Sequence, residues 1–199
     1  MLFSCERRRC AILFALLVMA ALAGCGSSDS NPLDNPDTIN NSGGVSGQRL
    51  CYAYYQQCVN PVFLKLLAGN TCAAAGCHDT FSGTGGAFRI VPGAASFDVT
   101  DPVYTPQVIQ VSDMYKNYYS AVGETIVGSA MESRLLTKPL VLGVLHGGGL
   151  IFTSASDTDA QRIRYWIDHP ARQGQDEFSA ECFDMFTPAD PNTGSCRIN

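Results

Sequence analysis

Apolar positions along this chain are concentrated in blocks, with long polar or glycine-rich stretches between them. The first block, residues 10–21, is an unbroken apolar run behind Arg7-Arg8-Arg9. It has the charge asymmetry and length of an export signal and falls short of the ~20 residues that span a bilayer as a helix. Residues 26–48 are rich in Ser, Asn, Asp, Gly and Pro, with only Leu33, Ile39 and Val45 to bury. Such a stretch cannot enclose a core and reads as a flexible tether. From Arg49 the pattern becomes dense in apolar and aromatic residues, predicting a helix to about Val59, a break at Asn60-Pro61 and a second short helix through Leu67.

Glycines and prolines between 81 and 101 predict loop with one short strand at 88–91, and 108–111 reads as another. Asp113 caps a helix through Tyr115, Tyr118 and Tyr119. Ser129 and Glu132 form a capping box that starts a helix at Ala130 running to about Thr137, ended by Lys138-Pro139. Residues 140–152 surround His146-Gly147-Gly148-Gly149 and read as loop. Asp157 or Thr158 opens a last helix, with Ile163, Trp166 and Ile167 at helical spacing and Pro170 beyond its end. After Gln173 the chain is a loop-rich arm. The expected class is mainly α: one small helical domain over 49–199, with long loops and few short strands.

Charged residues make up only 16% of the chain and the formal net charge is −5. The basic leader contributes three arginines against one glutamate, so the remainder is more acidic still. That balance excludes binding to a phosphate backbone, and no nucleic-acid partner is expected. No Ser/His/Asp set or paired carboxylates stand out. Gly83-x-Gly85-Gly86 lacks the strand and helix that a nucleotide site needs. An electron carrier or a binding module is expected rather than an enzyme.

Nine cysteines make the compartment informative. Leu22-Ala23-Gly24-Cys25 closes the leader and resembles the lipobox of bacterial lipoproteins. The resemblance implies a signal peptide at 1–24 and a lipid-carrying Cys25 at the new N-terminus. With Gly26-Ser27 rather than Asp following, it implies the outer membrane, held by the lipid anchor alone. Cys5 and Cys10 leave with the leader. Cys51, Cys58, Cys72, Cys77, Cys182 and Cys196 remain, and an oxidising compartment requires that they be paired or modified.

Cys72-Ala73-Ala74-Ala75-Gly76-Cys77-His78 carries the clearest chemistry. Two thiols followed at once by His is the arrangement of covalent haem c attachment: the thiols add to the vinyl groups and the His binds iron. Four small residues stand between the cysteines where two are usual, a widened variant of the motif. A local disulfide with an unrelated His is the plain alternative. A zinc site is a third, disfavoured because His78 lies too close to Cys77 for common finger spacings.

Beyond the motif, roughly residues 55–170 resemble the small cytochrome c domains of planctomycetes and proteobacteria. The matching residues are Ser133-Arg134-Leu135-Leu136, the loop at His146-Gly147-Gly148-Gly149, and Tyr165-Trp166-Ile167. Many of those relatives carry Met-Pro-Pro in the loop, with Met as second axial ligand; here His146 stands in its place. The resemblance implies one haem c held by Cys72, Cys77, His78 and His146, with His78 and His146 on the metal and a lowered potential. Met131, Met114, Met185 and His169 compete for the sixth position. Met131 fits a core face with Leu135, and His169 a helix end. Phe63, Leu67, Leu135, Leu136, Leu142, Ile163 and Trp166 are the expected pocket lining.

Cys51 and Cys58 are seven residues apart, so on a continuous helix they lie ~10 Å apart along its axis. That exceeds the reach of a disulfide. Cys182 and Cys196 are the natural partners, in either of two crossing connectivities; two local bridges require a broken helix. The expected function is a monohaem electron-transfer lipoprotein of the bacterial envelope, with envelope redox proteins as partners. The other reading is a haem-free, disulfide-stapled surface lipoprotein that binds a partner or acts as a scaffold, presenting Tyr52, Tyr54 and Tyr55.

Overall fold

Proline 61 shapes the element around which everything else packs. In the computed structural model, which describes residues 47–67 and 69–199, the chain is α-helical at Tyr52–Tyr54, π-helical at Tyr55–Val59 and α-helical again at Asn60–Leu64; the whole is labelled α1. The expected signal peptide, Cys25 and the tether up to residue 46 lie outside the described residues. Proline has no N–H, and its ring crowds the carbonyl four residues back, so a regular helix would break at Pro61. A widened turn ahead of it resolves the conflict: the Asn60 N–H donates to Tyr55 O, five residues back. The expected break is therefore absent. The element stops at Leu64 rather than Leu67, because Lys65 turns extended at ψ 150°.

α1 is apolar nearly all round, which marks a helix enclosed by the rest of the molecule. Tyr52, Tyr54 and Tyr55 are fully buried. Their hydroxyls donate to Gln56 Oε1, Arg197 O and Asn60 Oδ1. The aromatic run is core, so it presents no docking face.

The elements around α1 depart from the sequence pattern in places. Residues 108–111 belong to a helix, α2 (Pro106–Gln110), not a strand; Pro106 in its first turn supplies a pre-set φ and lacks an N–H that would go unused there. α3 (Asp113–Val122) is capped by Ser112, whose Oγ accepts from the Tyr115 N–H at 3.1 Å, one residue before the expected cap. The strand expected at 88–91 reduces to a bridge between Asp79 and Ile90.

The capping box does not form. Ser129 Oγ donates to the Glu132 carboxylate at 3.0 Å instead of accepting from backbone. A 3₁₀ turn, Ala130–Glu132, precedes α4 (Arg134–Thr137), which Ser133 opens. Buried Ser133 accepts from the Ile126 N–H at 2.8 Å and donates to Ser129 O at 2.9 Å, pinning this junction. Met131 is consequently 46% exposed, not on a core face.

α5 (Thr158–Asp168) begins at Asp157, whose carboxylate accepts from the Asp159 and Ala160 N–H groups. Its Trp166 is fully buried and donates to Cys51 O at 2.9 Å, while Tyr118 of α3 donates to Leu50 O at 2.6 Å. Both satisfy carbonyls where the chain enters α1. The C-terminal arm adds a 3₁₀ segment, Ala180–Met185, and two antiparallel strands, β1 (Phe186–Thr187) and β2 (Ser195–Cys196). It is stapled to α1 by Cys51–Cys182 and Cys58–Cys196, one of the two crossing connectivities. The chain is thus mostly helical with few short strands and two disulfides. Those bridges accord with an oxidising, extracytoplasmic compartment. Among the described residues no helix is long and apolar enough to cross a membrane.

Candidate functional site

The Cys-rich segment hangs from the end of α1, with the Ala73 N–H donating to Phe63 O at 3.2 Å. Turns close it on itself: Ala74 N–H to Thr71 O, Cys77 N–H to Ala74 O, and His78 N–H to Cys72 O at 2.9 Å. Gly76, at φ +80°, supplies the left-handed residue that lets four intervening residues fold into so small a loop. Both thiols and the His therefore face one region. Cys72 and Cys77 carry free thiols and are partly buried; no disulfide joins them. Burial, with Cys77 beside it, pushes the Cys72 thiol up to about 11.

His78 is held on several sides. Its carbonyl accepts from the Ile90 N–H at 2.7 Å, and the Thr80 N–H donates to Ile90 O at 2.9 Å. Its Nδ1 lies 3.0 Å from Phe88 O. A carbonyl can only accept, so Nδ1 carries the proton and Nε2 is left with its lone pair. Burial lowers the His78 pKa, opposed by the Phe88 carbonyl and reinforced by His146, Arg89 and Lys138, which favours a neutral ligating ring.

Behind that ring runs the glycine turn. The Gly85 N–H donates to Cys77 O at 2.8 Å. A Cβ at Gly85 would stand 2.6 Å from His78 Cε1 and 2.7 Å from its Nδ1. The Gly83-x-Gly85-Gly86 stretch is thus a backstop for an imidazole. Gly85→Ala must displace the His78 ring or the turn, at a cost on the order of 1–3 kcal/mol for overpacking. Its effect should be a shifted His78 imidazole signal in the nuclear magnetic resonance spectrum, with both disulfides still formed. An unchanged spectrum would show that His78 does not rest on this turn.

His146 comes from the loop after α4. Its Nδ1 lies 2.8 Å from Gly149 O, which fixes the same tautomer and again leaves Nε2 available. The two rings are 6.3 Å apart between centroids and only 13° from parallel. They border a cleft of about 440 Å³ lined by Leu67, Cys72, Cys77, Leu145 and Ile151 among others. A smaller pocket of about 40 Å³, walled by Phe63, Phe88, Leu135 and Pro139, shares Cys72, His78, Gly85, Lys138 and His146 with it. A cavity of this size with apolar walls and a few converging polar groups has the character of a small-molecule or cofactor site.

Of the expected lining, Phe63, Leu67 and Leu135 are present. Leu136, Ile163 and Trp166 line neither space and belong to the core, and Leu142 is 46% exposed on the surface. Sequence reasoning missed Phe88, Gly85, Arg134, Lys138 and Pro139. Each lay in a stretch the sequence marked for another reason: Phe88 in an expected strand, Gly85 in a glycine run, Arg134 in the helix pattern, and Lys138-Pro139 as the stop after α4. The competing ligands are elsewhere: Met114 and Met185 are core residues, and Met131 borders neither space. His169 packs its ring 3.9 Å from Tyr165 and bonds Tyr165 O, a helix-end role as expected.

Among the described residues no group of three or more His, Cys, Asp or Glu side chains gathers as a bare-ion site. His78 and His146 would each offer one Nε2 lone pair to a bound metal, the other ring nitrogen being engaged by a carbonyl. Metal–imidazole bonds of about 2 Å, plus about 1.1 Å from each nitrogen to its ring centre, give roughly 6 Å between centroids. The observed 6.3 Å is the span such a pair would need, were both Nε2 atoms turned toward a shared metal. No family model, curated protein or solved structure matches the chain.

Proposed function

We propose that this protein is a monohaem c-type electron-transfer lipoprotein of the bacterial envelope, with a small cytochrome c-like domain and His78 and His146 as axial ligands. The observation that carries the reading is the pair of imidazoles: near-parallel, 6.3 Å apart, each Nδ1 engaged by a carbonyl, beside two free thiols. Cys72 and Cys77 would form the thioether links. Phe63, Leu67, Phe88, Leu135 and Ile151 supply apolar walls that exclude water. Lys138 borders both spaces and Arg134, beside Glu124, the smaller one; the two cations could meet carboxylates of the bound group. Bound there, haem supplies a one-electron iron couple, at a potential that a second imidazole keeps below that of a His/Met site. With His78 and His146 both on the metal, no position would remain for a substrate, which favours a carrier over an enzyme. Cys25 carries the lipid anchor, by its resemblance to a lipobox.

The test is expression with the cytochrome c maturation machinery, followed by intact mass and a reduced-minus-oxidised visible spectrum. The expected product carries one covalent haem that survives denaturation, and Cys72→Ser with Cys77→Ser abolishes attachment. A colourless product with a Cys72–Cys77 disulfide overturns the reading in favour of a haem-free scaffold.

A further inference from the structure

We propose that Tyr115 is a redox-active tyrosine. It gives one electron to the oxidised aromatic core, passes its phenol proton to Glu177, and holds the radical at the surface for a small reductant. What singles it out is the partner of its hydroxyl. Among the described residues five tyrosine hydroxyls donate hydrogen bonds, and four of them meet amide oxygens: Tyr52 to Gln56, Tyr54 to Arg197, Tyr55 to Asn60 and Tyr118 to Leu50. An amide oxygen accepts a hydrogen bond but is too weak a base to take the proton at neutral pH. The fifth, Tyr115, donates to a carboxylate, Glu177 Oε1, at 2.6 Å, the length of a charge-assisted bond.

The difference matters because a phenol that loses an electron becomes a strong acid. A buried tyrosine with nowhere to send its proton is left as a radical cation, a charge the apolar core makes costly. With a base in hydrogen-bond contact the proton crosses in the same step, and a neutral radical remains. Glu177 is held for this: it is 7% exposed, Gln110 Nε2 stands 3.5 Å from the same oxygen, and its backbone carbonyl accepts from the Tyr52 N–H at 2.9 Å. Burial, and then the bond to Glu177, hold the Tyr115 phenol up at about 12, so it keeps its proton until it is oxidised.

Tyr115 also ends a line of aromatic rings. Trp166, the single tryptophan of the chain, is fully buried. Its ring centroid lies 5.2 Å from that of Tyr55, Tyr55 lies 5.6 Å from Tyr118, and Tyr118 lies 5.3 Å from Tyr115. Rings this close exchange an electron in short hops. Tyr115 is half-buried and borders two surface grooves that meet on Gln110, Tyr115 and Tyr119. None of these rings borders the cleft of His78 and His146. The balance is one electron and one proton. An oxygen-centred radical takes an electron from the core and becomes its anion. Tyr115 refills the core, its O–H proton moves to Glu177, and the carboxylate becomes a neutral acid. A reductant of the thiol or ascorbate class returns the electron at the groove, and the proton goes back to the phenolic oxygen.

The experiment creates the vacancy at a known place. Light at the red edge of indole absorption, with a cobalt(III) ammine as irreversible electron acceptor, oxidises Trp166 in the full chain with both disulfides formed. The radical is followed by electron paramagnetic resonance and located by nitroso spin trapping with peptide mass mapping. The expected product is a tyrosyl radical, with the trap on Tyr115. Tyr119→Phe removes a neighbour that is 68% exposed and should leave the trap where it was. Glu177→Gln keeps an oxygen to accept the Tyr115 hydrogen bond but no base, so the Tyr115 adduct should be lost and the Trp166 radical should live longer. Tyr115→Phe should do the same. In heavy water the wild-type tyrosyl radical should form more slowly, because O–H cleavage belongs to the step; this check needs no variant to fold. Trapping on Tyr119, Cys72 or Cys77 in the wild type overturns the proposal, since exposure or thiol chemistry then decides where the radical rests. A Tyr115 adduct undiminished in Glu177→Gln, or a rate unchanged in heavy water, also overturns it.

Discussion

On the haem reading proposed above, His146→Ala should turn a low-spin haem protein into one with an open coordination position while leaving haem covalently attached. On that reading the attachment would depend on Cys72 and Cys77, which hang from α1 and are untouched by the change. The proximal side depends on His78, fixed by Phe88 O and by Gly85. Only the loop-borne nitrogen is lost, so the ferrous spectrum should become high-spin and carbon monoxide should bind. His146→Met should raise the midpoint potential by a fraction of the roughly 0.8 V that axial ligands span. Met131→Ala should change none of this. With its residue 46% exposed, it should alter stability by no more than about 0.5 kcal/mol, the scale of an ordinary surface substitution. A ferric methionine–iron charge-transfer band in the wild type, lost in Met131→Ala and kept in His146→Ala, would reassign the ligand.

Much of this site was legible because its chemistry rests on residue types in a short pattern. Cys72, Cys77 and His78 adjoin in sequence, and His146 stands among glycines where a ligand loop was expected. The structure brings His78 and His146 together across 68 residues of chain. The support behind His78 was not legible. Gly85 matters only because the turn from Asp79 returns its backbone to the imidazole, and that turn depends on the Asp79 carboxylate accepting from the Phe81 and Ser82 N–H groups.

Elsewhere the sequence signals competed. Pro61 reads as a helix break when the only register considered is 3.6 residues per turn, and the π-helical turn at Tyr55–Val59 lies outside that register. Ser129 and Glu132 have the spacing of a capping box, yet Ser133 takes two buried backbone partners and starts the helix instead. That shift alone carries Met131 from the expected core face to the surface. The spacing argument for the cysteines succeeded for a simple reason. Cys51 caps α1 and Cys58 lies within it, and the helix stays continuous between them, so neither can reach the other and both reach the arm.

Removing those bridges should produce the largest stability changes available in this chain, and unequal steps. Cys51–Cys182 and Cys58–Cys196 each close a long loop, with separations of 131 and 138 residues. By the chain-entropy relation, either bridge alone constrains the unfolded chain by about 5 kcal/mol. The two are not independent. Once Cys51–Cys182 is formed, the second bridge closes only the segments from 51 to 58 and from 182 to 196, an effective loop of about 20 residues worth about 3 kcal/mol. Cys58→Ala with Cys196→Ala should therefore cost about 3 kcal/mol, and removing all four cysteines about 8 kcal/mol. The latter is comparable to the entire stability of a typical domain of this size. Urea midpoints of the purified variants measure the first step, and the quadruple variant should fail to give a cooperative transition. Equal costs of about 5 kcal/mol for each successive bridge would show that the arm and α1 do not form one linked loop in the unfolded chain. Were the first step negligible, the arm would already be held by its packing, with Met185 and Phe186 in the core sufficing without the cross-link.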